Sequence, residues 1–433
     1  MIASTIAGRL IAAGMDPRER SAKEALYDEV LDQHAALRDT TPQFALWVPG
    51  RLEVLGKHTD YAGGRTLVCA VPRGFAVVAS ARDDGRVRVV DTRRGESLTI
   101  DIADAAAAPT GWRRYADVTV RRLARNFPGT RLGADIVVAS DLPSASGMSS
   151  SSALIIAIAV AVGRVARLDT HPSWTANIHG GLDAAGYYAC IENGRTFGTL
   201  EGDGGVGTHG GSEDHTAIVE GRPGEVSAFA FVPPRAIATA PVPDAWRFVI
   251  APSGVAARKT GEAKIPYNRL SAGISILLEA WNRRYAPARS LAAAIGSDRD
   301  ALDRLRELSA SAGTADAPAA WLCERLDHFV REDARIEAAV AAFAAADTAA
   351  VGALADASQR EADTLLRNQV PATVALAAGA RQLGAFAASS FGAGFGGAVW
   401  ALVASDAADA FARRWHEQAF VMTPGPPATL VTS

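Results

Sequence analysis

The apolar positions fall first into short strand-like runs and later into long alanine-rich helical stretches. Phe44 to Val48 is an unbroken apolar run, and Thr66 to Ala81, rich in β-branched and apolar residues, predicts a strand. Asp83-Asp84-Gly85-Arg86 predicts a hairpin turn into Val87-Arg88-Val89-Val90. Asp117 to Asn126 predicts a helix with Val118, Leu123 and Ala124 on one side, and Ala134 to Ala139 a strand. A helix from Ala153 to Ala166 and a strand from Val226 to Val232 follow. The proline-bearing stretch Pro233 to Pro243 then predicts a domain boundary. Beyond it come a strand at Trp246 to Ala251 and a strongly helical region from about Ala263 to Gly384. A strand at Ala398 to Val403 and a helix at Asp406 to Gln418 close the pattern. Strands mixed with long helices, without strict alternation, predict an α+β architecture.

Length and charge narrow the function. A chain of 433 residues can bury a large core and suggests two or more domains. The formal net charge of -3 gives no footprint for nucleic acid or an anionic membrane, though local basic groups can still bind small anions. The early segment lacks the features of a signal peptide and predicts a polar-faced helix through Arg18, Arg20, Lys23 and Glu29. The longest apolar run, Ala153 to Val162, is too short to span a bilayer. Cys69, Cys190 and Cys323 form no disulfide or zinc spacing and predict buried thiols in a reducing cytoplasm. A soluble cytoplasmic protein is expected.

Three loops carry the candidate chemistry. In the first, Pro49-Gly50-Arg51-Leu52-Glu53-Val54-Leu55-Gly56-Lys57-His58-Thr59-Asp60-Tyr61-Ala62-Gly63-Gly64, ionisable groups stand between glycines that permit sharp turns and close ligand approach. The second, Asp141 to Ser152, is crowded with serines and leads straight into a helix. Capping accounts for one of those serines. Free N–H groups, the helix dipole and the remaining hydroxyls favour a phosphate, although no Walker A ending is present. The third loop, Ser389 to Gly397, has four glycines in its last six residues, which implies tight turns before a strand.

Together and in this order, the loops closely resemble the three motifs of the GHMP small-molecule kinases, and within them the galactokinases. The first is similar to a signature that usually reads Gly-Arg-Val-Asn-Leu-Ile-Gly-Glu-His-Thr-Asp-Tyr. Leu142-Pro143 with Gly147-Met148-Ser149-Ser150-Ser151 resembles the ATP loop, and Gly392-Ala393-Gly394-Phe395-Gly396-Gly397 the C-terminal loop. The resemblance implies an N-terminal α+β domain over 1–240, a ferredoxin-like C-terminal domain over 241–433, and an active site between them. It implies a sugar 1-kinase that uses ATP and Mg²⁺, working as a monomer or weak homodimer with no nucleic-acid or membrane partner. Asp214 would be the catalytic base with Arg51 beside it. Lys57, His58, Asp60, Tyr61, Gly211 and Tyr267 would face the sugar. Trp112, with Tyr115 after it, would lie at the nucleotide base, and Ser146, Gly147, Met148, Ser149, Ser150 and Ser151 would hold the phosphates. Ser151 and Glu192 would hold the metal.

Departures from the family pattern put the acceptor sugar in question. Lys57 stands where galactokinases carry a glutamate that accepts a hydrogen bond from the sugar's hydroxymethyl group. Glu53 replaces an asparagine, Glu213 a methionine, and Ser389 and Ser390 an arginine and its neighbour. Thr199-Leu200-Glu201-Gly202-Asp203-Gly204-Gly205 is an insert between Glu192 and Asp214. Galactose or a near neutral relative is the expected acceptor. A hexuronic acid read by Lys57 is one alternative, and a catalytically weak sugar and ATP sensor is another. If Asp214 were only a turn residue, His215 would be merely exposed. A metal site from His209 and His215 has no supporting ligand spacing.

Overall fold

The apolar runs fold as strands of two sheets, and the alanine-rich stretches as helices around them. The computed structural model describes residues 2–37, 42–104, 109–143, 146–257 and 264–432. Ser144 and Ala145 of the serine loop, and Ala263 at the start of the helical region, lie outside the described residues.

Helices α1 (Ile2–Ala12) and α2 (Arg20–Leu37) precede β1 (Phe44–Leu55) and β2 (Arg65–Ala81). Next come β3 (Val87–Asp91), β4 (Glu96–Ile100), α3 (Trp112–Asn126), β5 (Ala134–Ser140) and α4 (Ser150–Val165). The chain continues through α5 (Pro172–Thr175), α6 (Gly181–Asn193), α7 (Glu213–Glu220), β6 (Glu225–Ala230), β7 (Arg235–Pro241) and β8 (Trp246–Pro252). Six helices follow, α8 (Lys264–Arg284), α9 (Leu291–Ile295), α10 (Ala301–Ser311), α11 (Ala319–Ala344), α12 (Thr348–Glu361) and α13 (Pro371–Gln382). The last elements are β9 (Ala387–Ser390), β10 (Ala398–Ala404), α14 (Ala408–Trp415), β11 (Phe420–Met422) and β12 (Thr429–Thr432). The architecture is α+β, as the pattern predicts.

The larger sheet runs β12–β1–β2–β5–β3–β4, with β6 paired to the first part of β2 and β7 outside β6. The smaller runs β11–β8–β10–β9. α1 and α2 cover one face of the larger sheet, through Ile6, Leu10, Leu26 and Tyr27 against Trp47 and Val78. α3, α4 and α6 cover the other, through Leu123, Ile155, Ile158 and Tyr187. A further apolar cluster joins the sheets, with Leu52, Val54, Leu67 and Val71 meeting Phe248, Ile250, Trp400 and Leu402. Burial of one such side chain is worth about 1.5–3 kcal/mol, so this seam fixes the strands that carry the first motif. Among the described residues no helix is long and apolar enough to cross a membrane.

Four local expectations are corrected. β2 and β3 do not form a hairpin, because β5 lies between them, antiparallel to β2 and parallel to β3. The buried Asp135 of β5 binds Arg82 at 2.9 Å and Arg88 at 2.7 Å, pinning it in that slot. The proline-bearing stretch includes a paired strand, since β7 is antiparallel to β6 from Glu225↔Pro241 to Ala230↔Arg235. Its prolines sit at or beyond the strand end, where a missing N–H is tolerated. Lys23 is on no solvated face: it is wholly buried, paired with Asp141 and set 4.7 Å from the centre of the Trp47 ring. Of the cysteines only Cys69 is buried, the other two being partly exposed.

Candidate active site

The first half of the first motif is strand and not loop. β1 continues through Arg51 and Glu53 to Leu55 and pairs with β2 from Arg51↔Ala70 to Leu55↔Leu67. Charged residues between glycines read as a turn, yet here their charges are matched by groups distant in sequence. Gly50 is required by close approach, because a Cβ there would lie 2.6 Å from the Met148 carbonyl. Arg51 N–H donates to that carbonyl at 3.2 Å, and Arg51 Nη1 donates to Gly147 O at 2.5 Å. Met148 itself is buried in the seam between the sheets and anchors the serine loop there.

At the end of that loop Ser149 is left-handed, with φ of 58°, and makes no side-chain cap to α4. Its buried Oγ has no hydrogen-bond partner among the described residues, while Ser146 Oγ donates to Pro143 O at 2.8 Å. Ser150 is exposed at the first turn of α4. The helix therefore presents uncapped N–H groups and a positive dipole end, which suits an anion. Ser151 Oγ lies 3.4 Å from Glu192 Oε1, but Ser152 is better placed, at 2.8 Å from Glu192 Oε2 and 3.4 Å from Asp214 Oδ2. Ser152 belonged to the same serine run, and only its helical direction distinguishes it.

Asp214 opens α7 against Arg51, with Nε at 2.8 Å and Nη2 at 2.6 Å from Oδ1. Burial would lower the Arg51 pKa, but Asp214, Glu213 and Glu53 outweigh it and raise it, so the guanidinium stays charged. Glu213 Oε1 is 3.2 Å from Arg51 Nε. Glu53 and Glu213 are both buried beside Arg51, and Glu53 accepts from Gly392 N–H at 3.4 Å. Burial pushes both carboxyls up, Glu213 strongly, with Glu53 adding to the effect and Arg51 opposing it. His215 is buried and not exposed, its Nε2 3.3 Å from Glu192 Oε2. His209 is exposed, with its N–H donating to Asn268 Oδ1 at 3.1 Å.

Arg51, Glu53, Glu192, Glu213, Asp214 and His215, but not His209, line one cavity of about 500 Å³ including its open mouth, together with His58, Asp60, Tyr61, Gly211 and Tyr267. Asp60 Oδ1 accepts from Tyr61 N–H at 2.8 Å and Oδ2 from Glu213 N–H at 3.2 Å, which ties the first motif to α7. Gly211 has no space for a Cβ, which would lie 2.2 Å from Asp60 Oδ2. His58, at φ 57°, is held through both ring nitrogens, Nδ1 at 3.0 Å from Tyr61 Oη and Nε2 at 3.1 Å from Ala393 O. A carbonyl only accepts, so Nε2 carries the proton and Nδ1 accepts from the Tyr61 hydroxyl. Behind Tyr61, the buried Arg325 of α11 donates to Tyr61 Oη at 3.2 Å, and its Nη1 lies 3.3 Å from His328 Nδ1. Burial and the neighbouring Arg325 hold His328 well below the ordinary histidine value, so it is neutral.

The expected phosphate residues Ser146, Gly147, Met148, Ser149, Ser150 and Ser151 are not part of this cavity's lining, and two further expected ligand contacts, Lys57 and Trp112, lie away from it. Lys57 is turned away and buried, donating to Ser358 Oγ at 2.8 Å and Ser389 Oγ at 2.9 Å. Ser358 Oγ in turn donates to Glu332 Oε1 at 2.7 Å, and the same carboxylate accepts from Gly56 and Lys57 N–H at 3.0 and 3.3 Å. Trp112 starts α3 and donates through Nε1 to Glu96 Oε2 at 2.7 Å, away from the cavity lining. The insert 199–205 packs on α3, where buried Arg122 reaches Asp203 Oδ1 at 3.3 Å and Arg195 O at 2.7 Å. Among the described residues no group of three or more His, Cys, Asp and Glu side chains is arranged to hold a metal ion. Glu192 with adjacent hydroxyls does fit a cation that draws most of its ligands from phosphate and water, the habit of Mg²⁺.

Three family models match this chain: the galactokinase galactose-binding signature over residues 33–81, the GHMP kinases N terminal domain over 114–189, and the GHMP kinases C terminal over 339–420. Galactokinase from Actinobacillus succinogenes is 32% identical over 120 residues, 27% of this chain and 31% of the relative. Galactokinase from Glaesserella parasuis is 36% identical over 117 residues, 27% and 30% respectively. The matched segments thus span under a third of those curated relatives. The crystal structure of Lactococcus lactis galactokinase complexed with galactose superposes with a TM-score of 0.72 at 22% identity, covering 93% of this chain and 99% of that one. Methanococcus jannaschii mevalonate kinase superposes at 0.54 and 12% identity, covering 88% and 98%. The chain thus carries matches to the galactokinase galactose-binding signature and to both GHMP kinase domains, and it shares the fold of the Lactococcus lactis galactokinase.

Proposed function

We propose that the chain is an ATP-dependent sugar kinase that phosphorylates the anomeric hydroxyl of galactose or a near neutral relative. The observation that carries this reading is the Arg51–Asp214 pair, 2.8 Å apart at its Nε contact, in one cavity with Glu192, whose carboxylate accepts from Ser152 Oγ at the start of α4. The α4 terminus and the serine loop would bind the triphosphate. Ser151, Ser152 and Glu192 would hold Mg²⁺, which when bound neutralises phosphate charge. Asp214 takes the proton of the attacking hydroxyl, and Arg51 steadies the carboxylate while facing the charge that develops on the phosphoryl oxygens. Asp60, fixed by two backbone N–H groups, orients sugar hydroxyls. His58 serves the cavity wall, since its two nitrogens are already engaged.

The hexuronic acid alternative loses its main support, because Lys57 does not line the cavity. The sensor alternative would suit a chain lacking catalytic groups, whereas Arg51, Asp214 and Glu192 are assembled here. The test is a screen of Mg·ATP with neutral hexoses, pentoses and uronic acids, read by phosphorus NMR. A sugar 1-phosphate from galactose or a neutral relative is expected. Phosphorylation at a primary hydroxyl, or no ATP consumption with any sugar, would overturn the assignment.

A further inference from the structure

Glu192 is a buried carboxylate on a fixed stem. It is the next-to-last residue of α6, and its own carbonyl accepts from Val206 N–H at 2.9 Å. The freedom that remains is rotation of the side chain, so the groups around its two oxygens decide which one a cation would meet. Ser152 Oγ of α4 donates to Oε2 at 2.8 Å, while Oε1 lies 3.4 Å from Ser151 Oγ. From the other side α7 brings His215, 2% exposed, with Nε2 at 3.3 Å from the same Oε2. That contact falls short of a full hydrogen bond, and both ring nitrogens are buried without a hydrogen-bond partner among the described residues. A buried imidazole N–H is destabilising while unpaired, and the carboxylate beside it is an acceptor within reach. Contacts of this kind around a reacting centre tighten once ligands assemble it.

We propose that His215 is a positioning residue for the metal site: its Nε2–H holds Glu192 Oε2 against Ser152, which presents Oε1 to a divalent cation. The inference deepens the sugar kinase reading, in which Glu192 is a ligand of Mg²⁺, and rests on it. A carboxylate only accepts, so the contact requires a proton on His215 Nε2. Hydrogen bonds to a ligating carboxylate fix its orientation, and their loss typically weakens metal binding about ten- to a hundredfold. His215 touches neither sugar nor cation in this role.

Two variants separate positioning from packing. His215→Gln keeps an N–H donor at the reach of Nε2, and His215→Met keeps the bulk without a donor. The readout is binding of Mn²⁺, a spectroscopic substitute for Mg²⁺, in the presence of ADP, followed by electron paramagnetic resonance. ADP affinity is measured separately without metal. Expected is a loss of Mn²⁺ affinity of about tenfold or more in His215→Met, recovery of most of it in His215→Gln, and unchanged metal-free ADP affinity in both. If thermal melting shows that His215→Met does not fold, NMR of the parent imidazole decides. Its Nε2–H proton should move to lower field when Mg²⁺ is added to the ADP complex, and an unmoved signal overturns the proposal. Equal Mn²⁺ affinity in the parent and a folded His215→Met, or an equal loss in both variants, makes His215 a packing residue and defeats the proposal alone. A parent that takes up no Mn²⁺ with ADP defeats the kinase reading, and the proposal with it.

Discussion

Lys57 Nζ donates to Ser389 Oγ at 2.9 Å, joining two positions at which the chain departs from the pattern it resembles. The ammonium belongs to a buried network of Ser358, Glu332 and Arg335, with Arg335 Nη1 at 2.7 Å from Glu332 Oε2. Lys57→Met leaves Glu332 buried with one cation fewer. Loss of about 1–3 kcal/mol is expected in a denaturant melt, because the buried Ser358 and Ser389 hydroxyls lose a charged donor while Arg335 still pairs with Glu332. In Lys57→Glu, whatever activity survives should fall by a similar factor for galactose and galacturonate. A selective loss on galacturonate would return Lys57 to the sugar.

Asp214→Asn keeps the shape of the carboxylate and cannot take a proton. Turnover should fall by about a hundred- to ten-thousandfold, with ATP binding by calorimetry near the parental value. Near-parental turnover would make Asp214 structural.

Arg325 acts on the cavity through Tyr61 and His58, so it is a positioning residue. Arg325→Met should raise the acceptor KM more than kcat changes and leave the ATP KM alone. Nitrogen NMR of the imidazole should report the Nε2–H form of His58 in the parent and a mixture of tautomers in the variant. Arg325→Lys should restore part of both. An unchanged tautomer signature with a general loss of stability would reduce Arg325 to packing.

The Glu332 carboxyl is held below the ordinary glutamate value, since Lys57 and Arg335 overcome the effect of its burial. Its stabilisation is present above the unfolded-state pKa and is lost as pH falls through the lower folded value. The stability gap between parent and Glu332→Gln, read in urea melts, should therefore be full at pH 7 and shrink below about pH 4.3. Glu213 is raised, and its sign is opposite. Its contribution is full below the unfolded pKa and declines as pH rises through the folded one, so Glu213→Gln should flatten the alkaline side of the parental curve. A gap that did not change with pH would show that these carboxyls titrate alike in both states.

The site was legible where chemistry is concentrated locally. Arg51, Asp60, Glu192 and Asp214 stand among glycines and serines, and the structure gathers them into one cavity. What escaped the sequence was pairing at long range. Glu53 and Glu213 are single oddities in two motifs, and nothing local says that both are buried beside Arg51. Arg325 and Glu332 look like the polar side of α11, because their partners lie more than two hundred residues earlier. Arg51 to Leu55 read as loop for the same reason, since a strand can bury charges only when distant groups meet them. Strand partners were similarly hidden, because apolar alternation marks β2, β3 and β5 without saying which lie side by side.

The pairing of β12 with β1, Ala45↔Thr432 to Trp47↔Thr429, has a consequence for synthesis on the ribosome. The strand that carries Arg51 emerges long before its outer neighbour, which arrives more than 370 residues later. Through that interval one edge of β1 is an open template for other nascent chains, and loop closure over such a span is slow. Yield of folded protein should consequently depend on chaperone supply and on growth temperature during translation, even where the finished protein is stable.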